Sequence, residues 1–336
     1  MYHPIHFKSR ISYDRPTPIH ISNRNLVIWR SKEAVNCFED RCPHRGAQLS
    51  QGKILENKIQ CGYHGWQFDP VGICTTVPQA KPGQYLPKAC NVKAFDTFTK
   101  ADIVWAELDN KKTQWPHPRD LEIDSFNRTD HFVTDYILDA NYGFLLQIEN
   151  LLDPAHIHFV HDGFQGDQAK AKFIRAKYVN ITETKMEAVF THDDDLVPDI
   201  QIVYHMPAVV EVSIFNKKGK IIRKNIIYVA PVSEGHCRVL FRDVAYKKYL
   251  TPPIPSIQQF LNRGFVEDSY QTLNQAIIES IMQQDVKILE SQQKTQGTGL
   301  DSYLTSRNVL LTEADTLILS FRKWCLANRD LLKEFV

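Results

Sequence analysis

Cys42-Pro43-His44-Arg45-Gly46, followed by Cys61-Gly62-Tyr63-His64-Gly65-Trp66, are the segments on which the reading of this chain turns. Each pairs one cysteine with one histidine, as C-x-H and then C-x-x-H, with sixteen residues between His44 and Cys61. Two thiolates and two imidazoles on two loop tips can hold one iron of a two-iron, two-sulfur cluster by sulfur and the other by nitrogen. Exchanging two thiolates for neutral imidazoles removes negative charge and raises the reduction potential over an all-cysteine cluster. The glycines permit tight turns, so backbone N–H groups can approach the sulfurs. A structural zinc site could use the same four ligands, although zinc sites more often pair cysteine with cysteine and histidine with histidine.

A second group lies in Glu149-Asn150-Leu151-Leu152-Asp153-Pro154-Ala155-His156 and continues through His158 and His161 to Asp162-Gly163. Asp153 with Pro154 reads as a helix N-cap with proline at the first helical position. His156 then falls on the same face as Asp153. His161, five residues on, needs a wide turn or a helix end near Asp162-Gly163 if both imidazoles are to reach one metal. Two histidines and one carboxylate on one face of an iron leave positions open for dioxygen and a substrate. Candidates for the carboxylate are Glu267, Asp268, Glu279, Asp285 and Glu290. His158 points to the other side of a helix and is expected to pack or line a pocket. His192, before Asp193-Asp194-Asp195, reads as part of a solvated acidic turn.

The rest of the sequence is ordinary for a two-domain globular chain. Its 336 residues can build two cores. Charged residues make up 24% and the net charge is +1 without a basic run, which argues against nucleic-acid or membrane-surface partners. Met1-Tyr2-His3-Pro4-Ile5-His6 carries no signal-peptide core and no stretch suits a membrane span, so a cytoplasmic location is expected. Seven scattered cysteines suit metal ligation or burial better than a disulfide framework.

Residues 1 to about 112 read as short strands and turns, with Leu26-Val27-Ile28-Trp29 and Ile103-Val104-Trp105 as strands. Trp115-Pro116-His117-Pro118 marks a boundary, because two close prolines resist both helix and central strand. In 116–336, strands are expected at Val209 to Phe215, Ile221 to Val229 and Cys237 to Val244. A long helix is expected from Ser256 to about Gln293, with Leu273, Ile277, Ile281, Val286 and Leu289 at helical spacing. A closing helix starts near the capping arrangement Thr312-Glu313-Ala314-Asp315. Strands then helices, without βαβ alternation, predict an α+β second domain. No Gly-x-Gly-x-x-Gly opens a helix after a strand, so no dinucleotide-binding half is expected.

Both cysteine–histidine boxes resemble the Rieske fingerprint, and N-x-x-D-x-x-H-x-x-x-x-H at Asn150, Asp153, His156 and His161 resembles the iron box of Rieske non-heme iron oxygenases. Val77-Pro78-Gln79-Ala80 and Pro87-Lys88-Ala89-Cys90 look most like the pheophorbide a oxygenase branch, related to vanillate demethylase-type enzymes. The resemblance implies an all-β Rieske domain (1–115) and a helix-grip catalytic domain with an antiparallel sheet (116–336), assembled as a homotrimer. It implies Cys42, His44, Cys61 and His64 as [2Fe-2S] ligands, and His156 and His161 as ligands of a mononuclear Fe(II). Gln284-Asp285 through Gln292-Gln293 resembles the family's ligand helix, so Asp285 is the expected carboxylate. Asp153 is implied not as a ligand but as a carboxylate that hydrogen-bonds a ligand histidine and links the iron to the cluster of a neighbouring subunit. Electrons would come from NAD(P)H through a ferredoxin or reductase, and one oxygen of dioxygen would enter a small cyclic substrate, hydroxylating or demethylating it. The plant enzymes' transit peptide and membrane anchor are not evident, which puts membrane-delivered tetrapyrroles in doubt. The substrate pocket is expected near Leu145, Phe159, Tyr204 and Met206. A Rieske electron-transfer or redox-sensing protein, and a zinc-stabilised binding module, remain alternatives.

Overall fold

The computed structural model describes residues 1–335 except 110–114, 124–125, 127–128, 164–165, 172, 193–198 and 251–263, without the side chains of 170, 250, 264–269 and 334. The chain divides into two units, Met1–Asp120 and Leu121–Val336. His117 packs edge-on against Tyr2 and stacks on Phe98, which keeps the proline-rich segment with the first unit.

The first unit is built of antiparallel strands in three sheets. One joins β1 (Tyr2–Phe7) to β11 (Ile103–Glu107) and β10 (Thr97–Lys100). The second runs β2 (Thr17–Ile21), β3 (Arg24–Arg30), β4 (Val35–Glu39), β9 (Ala94–Phe95). The third runs β5 (Lys53–Leu55), β6 (Lys58–Gln60), β7 (Gln67–Phe68), β8 (Cys74–Thr76). Three hairpins turn on the dipeptides Ser22-Asn23, Glu56-Asn57 and Ala101-Asp102, each with positive φ at both residues. That conformation matches the strand twist and closes two-residue hairpins. The core gathers Trp29, Phe38, Leu49, Ile59 and Phe68 around the buried Cys42 and Cys61.

The second unit holds a seven-stranded antiparallel sheet: β12 (His131–Ala140), β18 (His236–Tyr246), β17 (Ile221–Ser233), β16 (Val209–Phe215), β15 (Ile200–His205), β14 (Lys185–His192), β13 (Ile174–Ile181). Between β12 and β13 lie α1 (Phe144–Leu151) and α2 (Ile157–Val160). The short α3 (Lys247–Leu250) follows β18, and α4 (Gly264–Gln296) packs against β12. The start expected for this helix at Ser256 lies outside the described residues. A buried polar knot ties α4 to the sheet: Asn274 donates to Thr134 Oγ1 at 2.9 Å and to Asp243 Oδ2 at 2.8 Å, and Arg223 pairs with Asp243. The chain closes with α5 (Gly299–Thr305), α6 (Thr316–Ala327) and α7 (Arg329–Phe335). Thr312 and Asp315 form a capping box ahead of α6, as the sequence suggested. An all-β unit followed by a helix-gripping antiparallel sheet is the α+β arrangement expected.

The inward stripe of α4 differs from the expected one. Leu273 is 63% exposed, while Asn274, Ile278, Ile281, Met282, Asp285 and Leu289 are buried. Two polar residues hold inward positions here, so a hydrophobic count alone places the face one residue off.

Candidate metal centres

In the first unit, the loops after β4 and β6 fold identically around their cysteines. Cys42 N–H donates to Ala47 O at 2.7 Å and Gly46 N–H donates to Cys42 O at 2.8 Å. In the second loop Cys61 N–H donates to Trp66 O at 2.9 Å and Gly65 N–H to Cys61 O at 3.1 Å. Gly46 and Gly65 have φ of 75° and 76°, a region where a side chain is strained. Each loop thus buries its cysteine and lifts its histidine outward. Cys42 and Cys61 are 2% exposed, and the His44 and His64 rings face each other with centroids 4.6 Å apart. Trp66 stacks flat on His44 at 4.6 Å.

Burial pushes the Cys42 thiol up to about 11 against the N–H groups of His44 and Arg45, which point at its sulfur and favour thiolate; neighbouring Cys61 adds to the rise. A cation between the thiols would displace those protons. Burial and then the charge of His44 lower the pKa of His64, keeping it an available ligand. Among the described residues no three of these four bring ligand atoms within 4.8 Å of one another.

In the second unit, α1 ends and the chain turns at Asp153, whose Oδ1 accepts the Ala155 N–H at 2.7 Å. His156 precedes α2, and His161 leaves the helix with φ −107° and ψ 28°. This is the helix end that the five-residue spacing demanded. The two rings lie 5.3 Å apart at 78°. Asp285 reaches in from α4, its Oδ1 3.3 Å from His161 Nε2 and 3.9 Å from His156 Nε2. It is 5% exposed and its Oδ1 has no hydrogen-bond partner, a costly state that a bound cation would relieve. Among the described residues, His156, His161 and Asp285 are the one such group of three, their ligand atoms within 4.8 Å of one another. Two nitrogens and a carboxylate oxygen are donors suited to ferrous iron.

Both imidazoles are oriented from behind. His156 Nδ1 donates to Asp153 O at 2.7 Å and His161 Nδ1 to Gln284 Oε1 at 2.9 Å, which leaves each Nε2 turned to Asp285 as the nitrogen available to a metal. The hydrogen bond expected from the Asp153 carboxylate is not made: its Oδ2 lies 3.7 Å from His156 Nδ1, and the main-chain carbonyl of the same residue takes its place. Burial opposes protonation of His156, yet the Asp153 and Asp285 charges outweigh it and raise its pKa. Of the other carboxylate candidates, Glu279 is exposed and Glu290 accepts from Asn141 at 3.3 Å. The side chains of Glu267 and Asp268 lie outside the described residues.

A cavity opens beside this trio. Period-two alternation presents one face of each strand to it: Ile200 and Ile202, Val212 and Ile214, Asn225 and Ile227, and Phe241. Ile278, Ile281 and Met282 of α4 close the other side. None of the four expected pocket residues lines it. Tyr204 shares the face of Ile202, but its end of the sheet is covered by Phe321 of α6, and its hydroxyl donates to Pro207 O at 2.6 Å. Met206 is buried, Phe159 is 59% exposed, and Leu145 faces a separate small crevice with Gln293 and Tyr303. His158 is buried against His192, their Nε2 atoms 3.1 Å apart; the acidic run 193–195 lies outside the described residues.

Residues 2–96 match the Rieske [2Fe-2S] domain, and residues 138–198 match the vanillate O-demethylase oxygenase C-terminal domain. The chain thus joins a Rieske domain to a stretch that matches an oxygenase C-terminal domain. It is 27% identical over 353 residues to pheophorbide a oxygenase, chloroplastic, of Oryza sativa subsp. japonica, covering 96% of this chain and 63% of the relative. It is 32% identical over 163 residues to protein TIC 55, chloroplastic, of Arabidopsis thaliana, covering 48% of this chain and 30% of that protein. The chain therefore spans less than two thirds of the length of these curated relatives. The solved structure of Pseudomonas putida NdmA with caffeine superposes with a TM-score of 0.72 at 19% identity, over 99% of this chain and 92% of that one, and shares the fold. Among the described residues, no helix is long and apolar enough to cross a membrane.

Three site residues escaped the sequence reading of roles: Gln284 behind His161, and Asn150 and Asn225 in the cavity wall. Asn150 stood only as a motif letter, and Gln284 only as the residue before Asp285.

Proposed function

We propose that this chain is an oxygenase that uses dioxygen and externally supplied electrons to hydroxylate or oxidatively demethylate a small cyclic organic substrate. The observation that carries this reading is the convergence of His156, His161 and Asp285 on the wall of an apolar cavity. An electron-transfer or redox-sensing protein has no need of a second metal-binding trio opening onto an organic-lined space.

In this reading Cys42, Cys61, His44 and His64 hold the [2Fe-2S] cluster, and His156, His161 and Asp285 hold the mononuclear iron. Iron bound there supplies dioxygen activation, fed by electrons from the cluster. The protein's part is to aim ligands and exclude water. Asp153 O and Gln284 Oε1 fix the tautomers, so both Nε2 lone pairs face the carboxylate. The isoleucines and Phe241 keep the reacting carbon in a dry, shaped space. Asp153, its Oδ2 uncommitted to His156, is assigned the electron link between centres, which in a homotrimer would pass between subunits. A ferredoxin or reductase fed by NAD(P)H completes the system. The homotrimer and the electron donor are what the family resemblance implies, and the cyclic substrate is supported by what the relatives act on.

The test is oxygen uptake with a surrogate reductase under ¹⁸O₂, screened across aromatic acids, alkaloids and tetrapyrroles with product mass recorded. One labelled oxygen in a product, or aldehyde release from an O- or N-methyl group, is expected. Cluster reoxidation that no compound accelerates, with all electrons recovered as hydrogen peroxide, would favour the electron-transfer reading.

A further inference from the structure

The cavity wall contains one residue out of keeping with its neighbours. Along one row of the sheet the cross-strand partners are Ile202, Val212, Asn225 and Asp243. Asn225 therefore stands where the pattern calls for an aliphatic side chain. It is 8% exposed, lines the cavity, and its Oδ1 has no hydrogen-bond partner. A buried carbonyl oxygen left unpaired is costly, so a retained one invites a ligand. The cavity, about 80 Å³, is large enough for ordered water, which a substrate would have to replace with an equivalent donor.

The position of Asn225 sets the geometry. Its cross-strand neighbour Asp243 accepts from Asn274 of α4. Asn274 lies eleven residues before Asp285 on that helix, roughly 16 Å along its axis at about 1.5 Å per residue. Between them Ile278, Ile281 and Met282 form an apolar strip. The carboxamide thus stands toward the end of the cavity away from the metal trio.

Charge excludes one class of occupant. No lysine or arginine is among the described residues lining the cavity, and the nearby Arg223 is already matched by Asp243. Apart from the metal itself, an anionic substrate would find no cationic side chain there to pair with.

We propose that Asn225 is the specificity-determining anchor of this cavity, selecting an uncharged ring compound that offers an O–H or N–H donor at the edge remote from the oxidised carbon. This rests on the oxygenase reading only in calling the bound compound a substrate; the binding preference stands apart from turnover.

The test is calorimetric binding to the full chain with both metal centres loaded, under anaerobic conditions, of two matched series. One is phenol, anisole and benzoate; the other is 2-naphthol, 2-methoxynaphthalene and 2-naphthoate. In at least one series the hydroxyl compound should bind on the order of tenfold more tightly than its methyl ether, with the carboxylate weakest. Asn225→Leu should erase the hydroxyl preference while retaining the ether's affinity, and Asn225→Thr, which keeps an oxygen on a strand-compatible side chain, should restore part of it. Thermal melting checks that each variant is folded. A hydroxyl preference that survives in Asn225→Leu, tightest binding by the carboxylate, or no binding in either series overturns the anchor. Wild-type protein that binds with the expected preference but never incorporates ¹⁸O from any substrate would instead overturn the oxygenase reading and leave the anchor standing.

Discussion

Replacing Gln284 by leucine isolates the support behind one proposed metal ligand, His161. Gln284 Oε1 accepts the Nδ1 proton of His161 at 2.9 Å, and the His161 side chain is 3% exposed. Leucine fills a similar volume but accepts nothing. The buried Nδ1–H then lacks a partner, at about 1–3 kcal/mol, and nothing holds the proton on Nδ1 rather than Nε2. Partners of this kind behind a ligand histidine typically matter about 10–100-fold in metal affinity, or about 1.4–2.7 kcal/mol. Anaerobic competition with a chromophoric chelator for Fe(II) measures the loss, and the visible absorbance of the cluster serves as an internal control. Gln284→Glu keeps an acceptor and adds negative charge, so it should bind iron at least as tightly as wild type. Wild-type iron affinity in Gln284→Leu would refute the reasoning, since His161 would then be held by its own turn.

Asp153→Asn should fold and hold both metal centres, because His156 is oriented by the main-chain carbonyl of residue 153 and not by its carboxylate. In rapid mixing with dioxygen and substrate its reduced cluster should persist far longer than in wild type; reoxidation at the wild-type rate would remove Asp153 from the electron path. Glu211, 5% exposed, accepts from His205 at 2.8 Å and pairs with Lys224, and although burial alone would raise its pKa, these two partners bring it below the ordinary glutamate value. Its contribution to stability is present above the unfolded-state pKa near 4.5 and lost as pH falls through the lower folded value. Glu211→Gln should cost on the order of 3 kcal/mol at neutral pH and flatten the acid limb of a melting-temperature profile, whereas an unchanged profile would show the cluster to be inert.

The parts legible in the sequence are those whose residues act locally. The two cysteine–histidine loops fold within a few residues of each cysteine, and Asp153, His156 and His161 share one turn and one short helix. Asp285 was reachable only through its resemblance to a ligand helix, because periodicity alone put the inward face of α4 at Leu273 rather than Asn274. Gln284 meets His161 across 123 residues, a pairing no local pattern encodes. Tyr204, expected at the pocket, shares a sheet face with Ile202, yet the packing of Phe321 makes its end part of the core and leaves the Ile200 end to the cavity. Asn225 was invisible for the opposite reason: one polar residue among strand aliphatics gives no signal until its oxygen is found buried and unpaired.

The most direct measurement is the metal and sulfide content of Asp285→Ala, taken together with its reduced-cluster EPR spectrum and its oxygen uptake. The variant should lose the iron in excess of that bound to sulfide, keep the low-average-g signal of a mixed cysteine–histidine cluster, and consume no dioxygen in support of substrate oxidation. Full iron content with wild-type turnover would contradict the account, because the trio of His156, His161 and Asp285 would then not be the place where dioxygen and substrate meet.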